Sequence, residues 1–219
     1  MARDRAVSKS RAGTKGVPRA DREQQILLAA CEVFGTEGFA ATSVVAVADR
    51  AGISKPLIYQ YFDSKEGLFT AALHYGGAIL ADEIERIART DVIGLERGLQ
   101  TLRGIFDTLA PQPWLWRLFF DPSAPSIGAA ADELDGYVSR ITVLAEEGVA
   151  ELMHLSGIDD PLDVSAMTAV WMSIVDALVT WWLDHLDQTA EQMAERCARM
   201  FLAVAAAEAP VAVRPPLPA

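Results

Sequence analysis

Apolar residues recur at three- and four-residue intervals along most of the chain, and stretches rich in polar residues, glycine and proline separate the repeats. That period marks amphipathic helices. Ile26, Leu27, Ala30, Val33 and Phe34 line a first helix, for which Asp21-x-x-Gln24 supplies a capping box and Gly35 with Gly38 a stop. Val44, Val47, Ala48 and Ala51 mark a short second helix, capped by Thr42 or Ser43. Gly52 follows, where the left-handed conformation is easiest for glycine. Ile53 then forms an apolar plug, and Ser54 caps a third helix whose inner face carries Ile58 and Phe62. Lys55, Pro56, Tyr59, Gln60 and Tyr61 are left on its outer faces.

Asp63 or Ser64 caps a long fourth helix, with Glu66 well placed at its N-terminus, and the pattern from Leu68 to Ile87 carries it to about Ala88. Gly76-Gly77 sits inside it, at about 1 kcal/mol per glycine relative to alanine. We take the pair as a flexible point between two parts of the molecule, the alternative being a close helix crossing. Val92, Leu95, Leu99, Leu102, Phe106 and Leu109 form a fifth helix stopped by Pro111. Pro113 opens a short sixth through Phe120, ended by Asp121-Pro122. A seventh runs from Ser126 to Leu155, and Gly157 terminates it. Asp159 or Asp160 caps an eighth, with Pro161 at its first position, running to about His185. A ninth starts near Thr189 and ends before Pro210. No strand pattern competes, so the fold class is all-α with about nine helices.

Val164 to Leu183 is long enough to span a bilayer and holds one charge, Asp176. Ser165, Thr168, Ser173 and Thr180 interrupt it, and a carboxylate at mid-span is costly in lipid. A helix buried on most sides of a soluble protein is the expectation, with no membrane partner. Its apolar residues cover more of the circumference than one core face needs, which leaves a surplus for a partner.

The net charge of −11 divides unevenly. Residues 1–70 hold 10 Lys or Arg against 8 Asp or Glu, and the remainder 9 against 22. All four lysines (Lys9, Lys15, Lys55 and Lys65) lie in the first 65 residues. A small basic head on an acidic body suits localised phosphate contact, because fields fall off over about 8 Å in physiological salt. Residues 1–20 read as a flexible basic arm, without the apolar core of a signal peptide, and residues 210–219 as a disordered tail. Cys31 and Cys197 lie far apart in helical patterns and are read as buried free thiols in a reducing cytosol.

Two short helices around a glycine turn form the helix-turn-helix pattern, whose second helix enters the major groove of DNA. The wider run makes this specific: Phe34-x3-Gly38-Phe39-x2-Thr42-Ser43, Ala51-Gly52-Ile53-Ser54, and Tyr59-x-Tyr61-Phe62-x-Ser64-Lys65-Glu66-x-Leu68. Over roughly residues 22–70 the chain resembles the N-terminal domain of TetR-family transcriptional regulators.

The resemblance implies a helix-turn-helix domain over residues 21–66 and a ligand-binding and dimerisation domain over residues 67–209. It implies a DNA-facing set of Thr42, Ser43, Ser54, Lys55, Pro56, Tyr59, Gln60, Tyr61 and Lys65. Thr42, Tyr59, Tyr61 and Lys65 would position phosphates, while Lys55, Pro56 and Gln60 reach base edges. Family members often carry Gly-Thr or similar where this chain has Pro56-Leu57, which leaves its base contacts open. In such proteins helices four to seven enclose an inducer pocket that the eighth often lines. The body carries Tyr75, Phe106, Trp114, Trp116, Phe119, Phe120, Tyr137 and Trp171 on helices four to eight. The ligand candidates are Phe106, Trp114, Phe119, Tyr137, Trp171 and Asp176. Asp176 sits amid apolar residues, and a buried carboxylate needs a partner. Arg117 is the favoured one, ahead of a group from a second subunit or a ligand cation.

The implied function is a cytoplasmic homodimeric repressor, joined through helices eight and nine (about 161–208). A small apolar or aromatic inducer would release it from a palindromic double-stranded operator. The alternatives are a TetR-like activator and a helical ligand-binding protein that does not read DNA. No P-loop, Rossmann glycine pattern, GxSxG or HExxH is present, and His74, His154 and His185 are scattered. Neither catalysis nor a cofactor nor a metal is expected.

Overall fold

The computed structural model describes residues 17–205. Most of the basic arm and the whole of the C-terminal tail fall outside these residues. Among the described residues there are nine helices and no strand: α1 (Arg19–Glu37), α2 (Val44–Ala51), α3 (Lys55–Phe62), α4 (Lys65–Ala88), α5 (Gly94–Leu109), α6 (Trp114–Phe119), α7 (Ala129–Leu155), α8 (Pro161–Leu183) and α9 (Ala190–Ala205).

The N-terminal head forms where short helices pool their apolar faces. Ile26, Ala30 and Phe34 of α1 meet Val47, Ala48 and Ala51 of α2, Ile58 and Phe62 of α3, and Leu68 and Phe69 of α4. Phe34 and Phe69 pack edge to face, with centroids 4.9 Å apart. Burying a side chain of that size stabilises by about 1.5–3 kcal/mol. The same buried cluster continues along α4 into the body, where α4, α5 and α7 pack together, α9 covers α5 and α8 leans on α7. Trp182 fixes the end of α8. It packs against Phe106 at 5.3 Å and donates its indole N–H to the Gln188 carbonyl at 2.8 Å.

Several boundaries differ from expectation. Pro18, not Asp21, occupies the N-cap of α1, and Asp21 acts only as an acid in the first turn. Gly35 does not stop α1. It is buried in the last turn of the helix, where a methyl group would collide with the Trp114 carbonyl, so it serves the close crossing of α1 and α6. Gly38 is the true C-cap, at φ 80°. Ser64 rather than Asp63 caps α4, accepting from the Gly67 amide at 2.9 Å. The seventh helix starts at Ala129 because Gly128 holds φ 86°. Asp160 caps α8 through the Leu162 amide. Thr189 and Gln192 form a reciprocal capping box before α9.

The glycine pair in α4 is not a break. The helix is continuous from Lys65 to Ala88, and both glycines are buried. A Cβ on Gly76 would lie 2.7 Å from a Leu115 methyl, and one on Gly77 would lie 2.6 Å from Cδ2 of Tyr137. These residues let α6 and α7 approach α4, which is the close-crossing alternative rather than the flexible point.

The eighth helix is also less buried than its composition suggests. Only 17% of its most apolar stretch is covered. Val164, Thr168, Val175, Val179, Trp182 and Leu183 face inward. Leu162, Val170 and Trp181 are exposed, Leu162 at 79%.

Candidate nucleic-acid interface and ligand cavity

The second and third helices present one exposed surface. Ser43 caps α2 by accepting from the Ala46 amide at 3.1 Å, and Gly52 closes it at φ 67°. Ile53 N–H bonds back to the Ala48 carbonyl at 3.0 Å, which sets the turn angle. Two further links brace α2 against α1. Gln25 donates to the Ala51 carbonyl at 2.6 Å, and Arg50 makes a bidentate pair with Glu32. With the inner face anchored by Ile58 and Phe62, α3 turns Lys55, Pro56, Tyr59 and Gln60 outward along one side. Ser54 stands at its N-cap and makes no capping bond, so its hydroxyl is uncommitted there. The Lys55 ammonium lies 5.7 Å from the Tyr59 ring.

The rest of the expected DNA-facing set is more constrained. Tyr61 is half-buried, with the Arg19 guanidinium 5.1 Å above its ring. Lys65 rests over Phe39 at 4.5 Å and donates to the Ala40 carbonyl at 3.4 Å. Thr42 does not belong to the surface. It is 3% exposed, and its hydroxyl donates to the Gly38 carbonyl at 2.8 Å, so it pins the turn before α2. Arg19 carries no distinguishing sequence signal, being one basic residue at a helix start.

In the body, α4, α5, α7 and α8 enclose a cavity of about 370 Å³, closed at one end by α6. Of the ligand candidates, Phe119, Tyr137, Trp171 and Asp176 line it. Phe106 and Trp114 do not. Phe106 is fully buried against Trp182, and Trp114 packs at the crossing of α1 and α6. Trp116 and Phe120, their rings 4.6 Å apart, take that place on the wall. Leu80, Ile84, Ile105, Ile141 and Leu144 make the remaining surface largely aliphatic.

Polar groups in the cavity are few. Arg97 faces it with its guanidinium held by Glu151. The Tyr137 hydroxyl donates to the His74 carbonyl at 3.0 Å. Burial and the nearby Glu133 carboxylate push that phenol above its ordinary pKa, so it stays protonated. Asp176 is exposed, not buried, and Arg117 pairs instead with Asp184 at 3.4 Å. The expected buried Asp176–Arg117 pair is not formed. The carboxylate stays hydrated at the cavity edge, where no buried partner is required.

Residues 26–72 match the family model described as "Bacterial regulatory proteins, tetR family". Over this stretch the chain carries the helix-turn-helix domain of the TetR family. Among curated HTH-type relatives, the transcriptional activator FasR of Mycolicibacterium smegmatis is 35% identical over 105 residues, 48% of each chain. The transcriptional repressor BdcR of Escherichia coli is 40% identical over 68 residues, 31% of this chain and 34% of its own. The chain thus spans about half or less of the length of these relatives. The TetR-like fold extends further. FadR of Bacillus subtilis, solved in complex with stearoyl-CoA, superposes with a TM-score of 0.63 over 78% of this chain and 95% of its own, at 19% identity.

Proposed function

We propose that the protein is a DNA-binding transcriptional regulator, working as a homodimer whose operator affinity is set by an elongated apolar ligand. The observation that carries this reading is the exposed outer side of α3, held on a braced helix-turn-helix. Lys55, Pro56 and Gln60 are presented to base edges there. Ser43, Ser54, Tyr59, Tyr61 and Lys65 surround them as phosphate contacts, Lys65 beside the N-terminus of α4 where an anion is favoured. Thr42 contributes by fixing the turn.

Pairing of two heads follows from α8. Val170, Ile174, Ala177 and Trp181 step by four, three and four along its outer side, a seam suited to a second helix. Ala169 and Ser173 flank it as small residues in a shallow groove. Met200, Leu202 and Val204 extend the apolar surface along α9. Two-fold pairing through α8 and α9 would place two recognition helices about 34–36 Å apart, the spacing of successive major grooves on a palindromic site.

The ligand class follows from the shape and lining of the cavity. It extends from Gly77 to Ala88 along α4, about 16 Å at 1.5 Å per residue, and from Tyr137 to Leu152 along α7, about 22 Å. A long space of aliphatic and aromatic lining suits an acyl chain, and the stearoyl-CoA complex of the FadR neighbour supports that class. We assign the protein as a repressor released by this ligand. The activator FasR gives the opposite sign as a second reading.

A mobility-shift titration on DNA upstream of its own coding sequence, at 50 and 200 mM salt, tests the DNA-binding claim. A discrete complex that survives excess random duplex is expected. Its absence would leave a helical ligand-binding protein without DNA readout. A reporter driven by the bound sequence separates repressor from activator.

A further inference from the structure

The turn between α1 and α2 is held from a distant part of the chain. Gly38, at φ 80° and ψ 160°, reverses the chain after α1 and aims the next amides outward. The Asp121 carboxylate accepts the Phe39 N–H. The same carboxylate takes the Ser123 amide at 2.9 Å and the Ser123 hydroxyl at 2.8 Å. The Ser123 oxygen in turn accepts the Ala40 N–H at 2.9 Å. Two backbone donors just ahead of α2 are thereby satisfied by residues more than 80 positions later. A Cβ on Gly38 would crowd Asp121 at 3.3 Å, in addition to the strain at its positive φ.

What lies on the other side of this clamp gives it meaning. Asp121 directly follows Phe119 and Phe120, which line the cavity together with Trp116. Phe119 is buried, whereas Phe120 is 52% exposed and packs one face against Trp116. A ligand that displaces these rings acts one and two residues from Asp121. On the head side, Thr42 N–H and hydroxyl both bond to the Gly38 carbonyl, and Ser43 is the cap of α2. Only Ala41, Thr42 and Ser43 separate the clamped amides from the first residue of α2. We infer that Asp121 and Ser123 are positioning residues that tie the orientation of the helix-turn-helix to the occupancy of the cavity, by clamping the Phe39 and Ala40 amides to the end of α6.

The chemistry suits a latch. Burial pushes the Asp121 carboxyl up, but the amides of Phe39 and Ser123 and the Ser123 hydroxyl outweigh it and hold its pKa below the ordinary value. An ionised acceptor makes stronger bonds than a neutral one, yet these are few and near the surface. They can open without unfolding the core.

The inference rests on the proposed ligand response, so its test separates the two. Stearoyl-CoA is the probe, and its binding is first measured by calorimetry. With probe bound, the wild-type Phe39 and Ala40 amides should exchange at least tenfold faster with deuterium, and operator affinity should change at least tenfold. Asp121→Asn and the milder Ser123→Ala should bind the probe within threefold of wild type yet change operator affinity less than threefold. Variants that bind the probe and keep the full change would overturn the clamp, as would wild-type amides whose exchange is unaffected. If stearoyl-CoA does not bind, the acyl-ligand reading fails, and the clamp is decided by a cycle of Phe120→Ala and Ser123→Ala on operator affinity. Non-additivity of threefold or more supports it, and additivity overturns it.

Discussion

Substituting Gly77 by alanine inserts one methyl group where α4 meets α7, and its effect can be worked from the packing. The added Cβ would sit 2.6 Å from Cδ2 and 2.7 Å from Cζ of Tyr137, well inside contact distance. Those atoms belong to a rigid ring whose hydroxyl is fixed on the His74 carbonyl, so relief requires the ring to move into the cavity. Overpacking of this kind costs about 1–3 kcal/mol, and replacing a helical glycine returns about 1 kcal/mol. The net is a loss of up to about 2 kcal/mol, or a fall in Tm of up to about 8 °C for a chain of this size. Gly76→Ala meets only the flexible methyl ends of Leu115 and Leu118 and should lose less. Thermal unfolding of both variants by circular dichroism checks the ranking, and the Gly77 variant should also bind stearoyl-CoA more weakly. A rise in Tm for Gly77→Ala with unchanged binding is what a mobile, uncrowded glycine would give, and it would refute the close-crossing argument.

Four other outcomes follow from the same structure. Lys65→Ala should weaken DNA binding alike on all sequences and lower the slope of log K against log salt by about one; a sequence-selective loss would contradict a phosphate role. Asp121, with a folded pKa held below its ordinary 3.8, contributes stability that is fully present above that value and lost as pH falls through the lower folded pKa. The Tm gap between wild type and Asp121→Asn should therefore be widest near neutrality and close below about pH 4. Val170→Asp places a charge in the α8 seam and should shift the protein to monomer in analytical ultracentrifugation, with little change in helical content. Burial pushes the Cys31 thiol up to about 12 and the Cys197 thiol up to about 11, so neither should react measurably with Ellman's reagent at pH 8 until the protein is unfolded.

Helix order and the helix-turn-helix were legible because their signals are local. Ser43, Gly52 and Ser64 act within a single turn of backbone, and the spacing of Val47, Ile58 and Phe62 needs no knowledge of what lies opposite. The body was less legible because periodicity reports that a face is apolar, not whether it meets a neighbour or a void. Phe106 and Phe119 look alike in sequence, yet one fills the core against Trp182 and the other walls the cavity. Gly76-Gly77 costs the helix propensity whether it bends or makes room, and only the nearness of Leu115 and Tyr137 decides between them. Asp176 seemed to need a buried partner because its neighbours in α8 are apolar. Much of that apolar surface faces outward in the protomer, and the carboxylate is exposed at the cavity edge. The Asp121 clamp could not be read at all, since it joins residues 82 positions apart and Asp-Pro after a short helix reads only as a stop.

The central claim is that the outer side of α3 reads a specific DNA sequence under the control of the cavity. Fluorescence anisotropy, with a duplex selected by the protein from a random pool, tests it most directly. The account predicts binding at least 10³-fold tighter than to a scrambled duplex at the same salt. Gln60→Ala should reduce that ratio, and stearoyl-CoA should change the affinity at least tenfold. Equal affinity for selected and scrambled duplex, unchanged by Gln60→Ala, would contradict it.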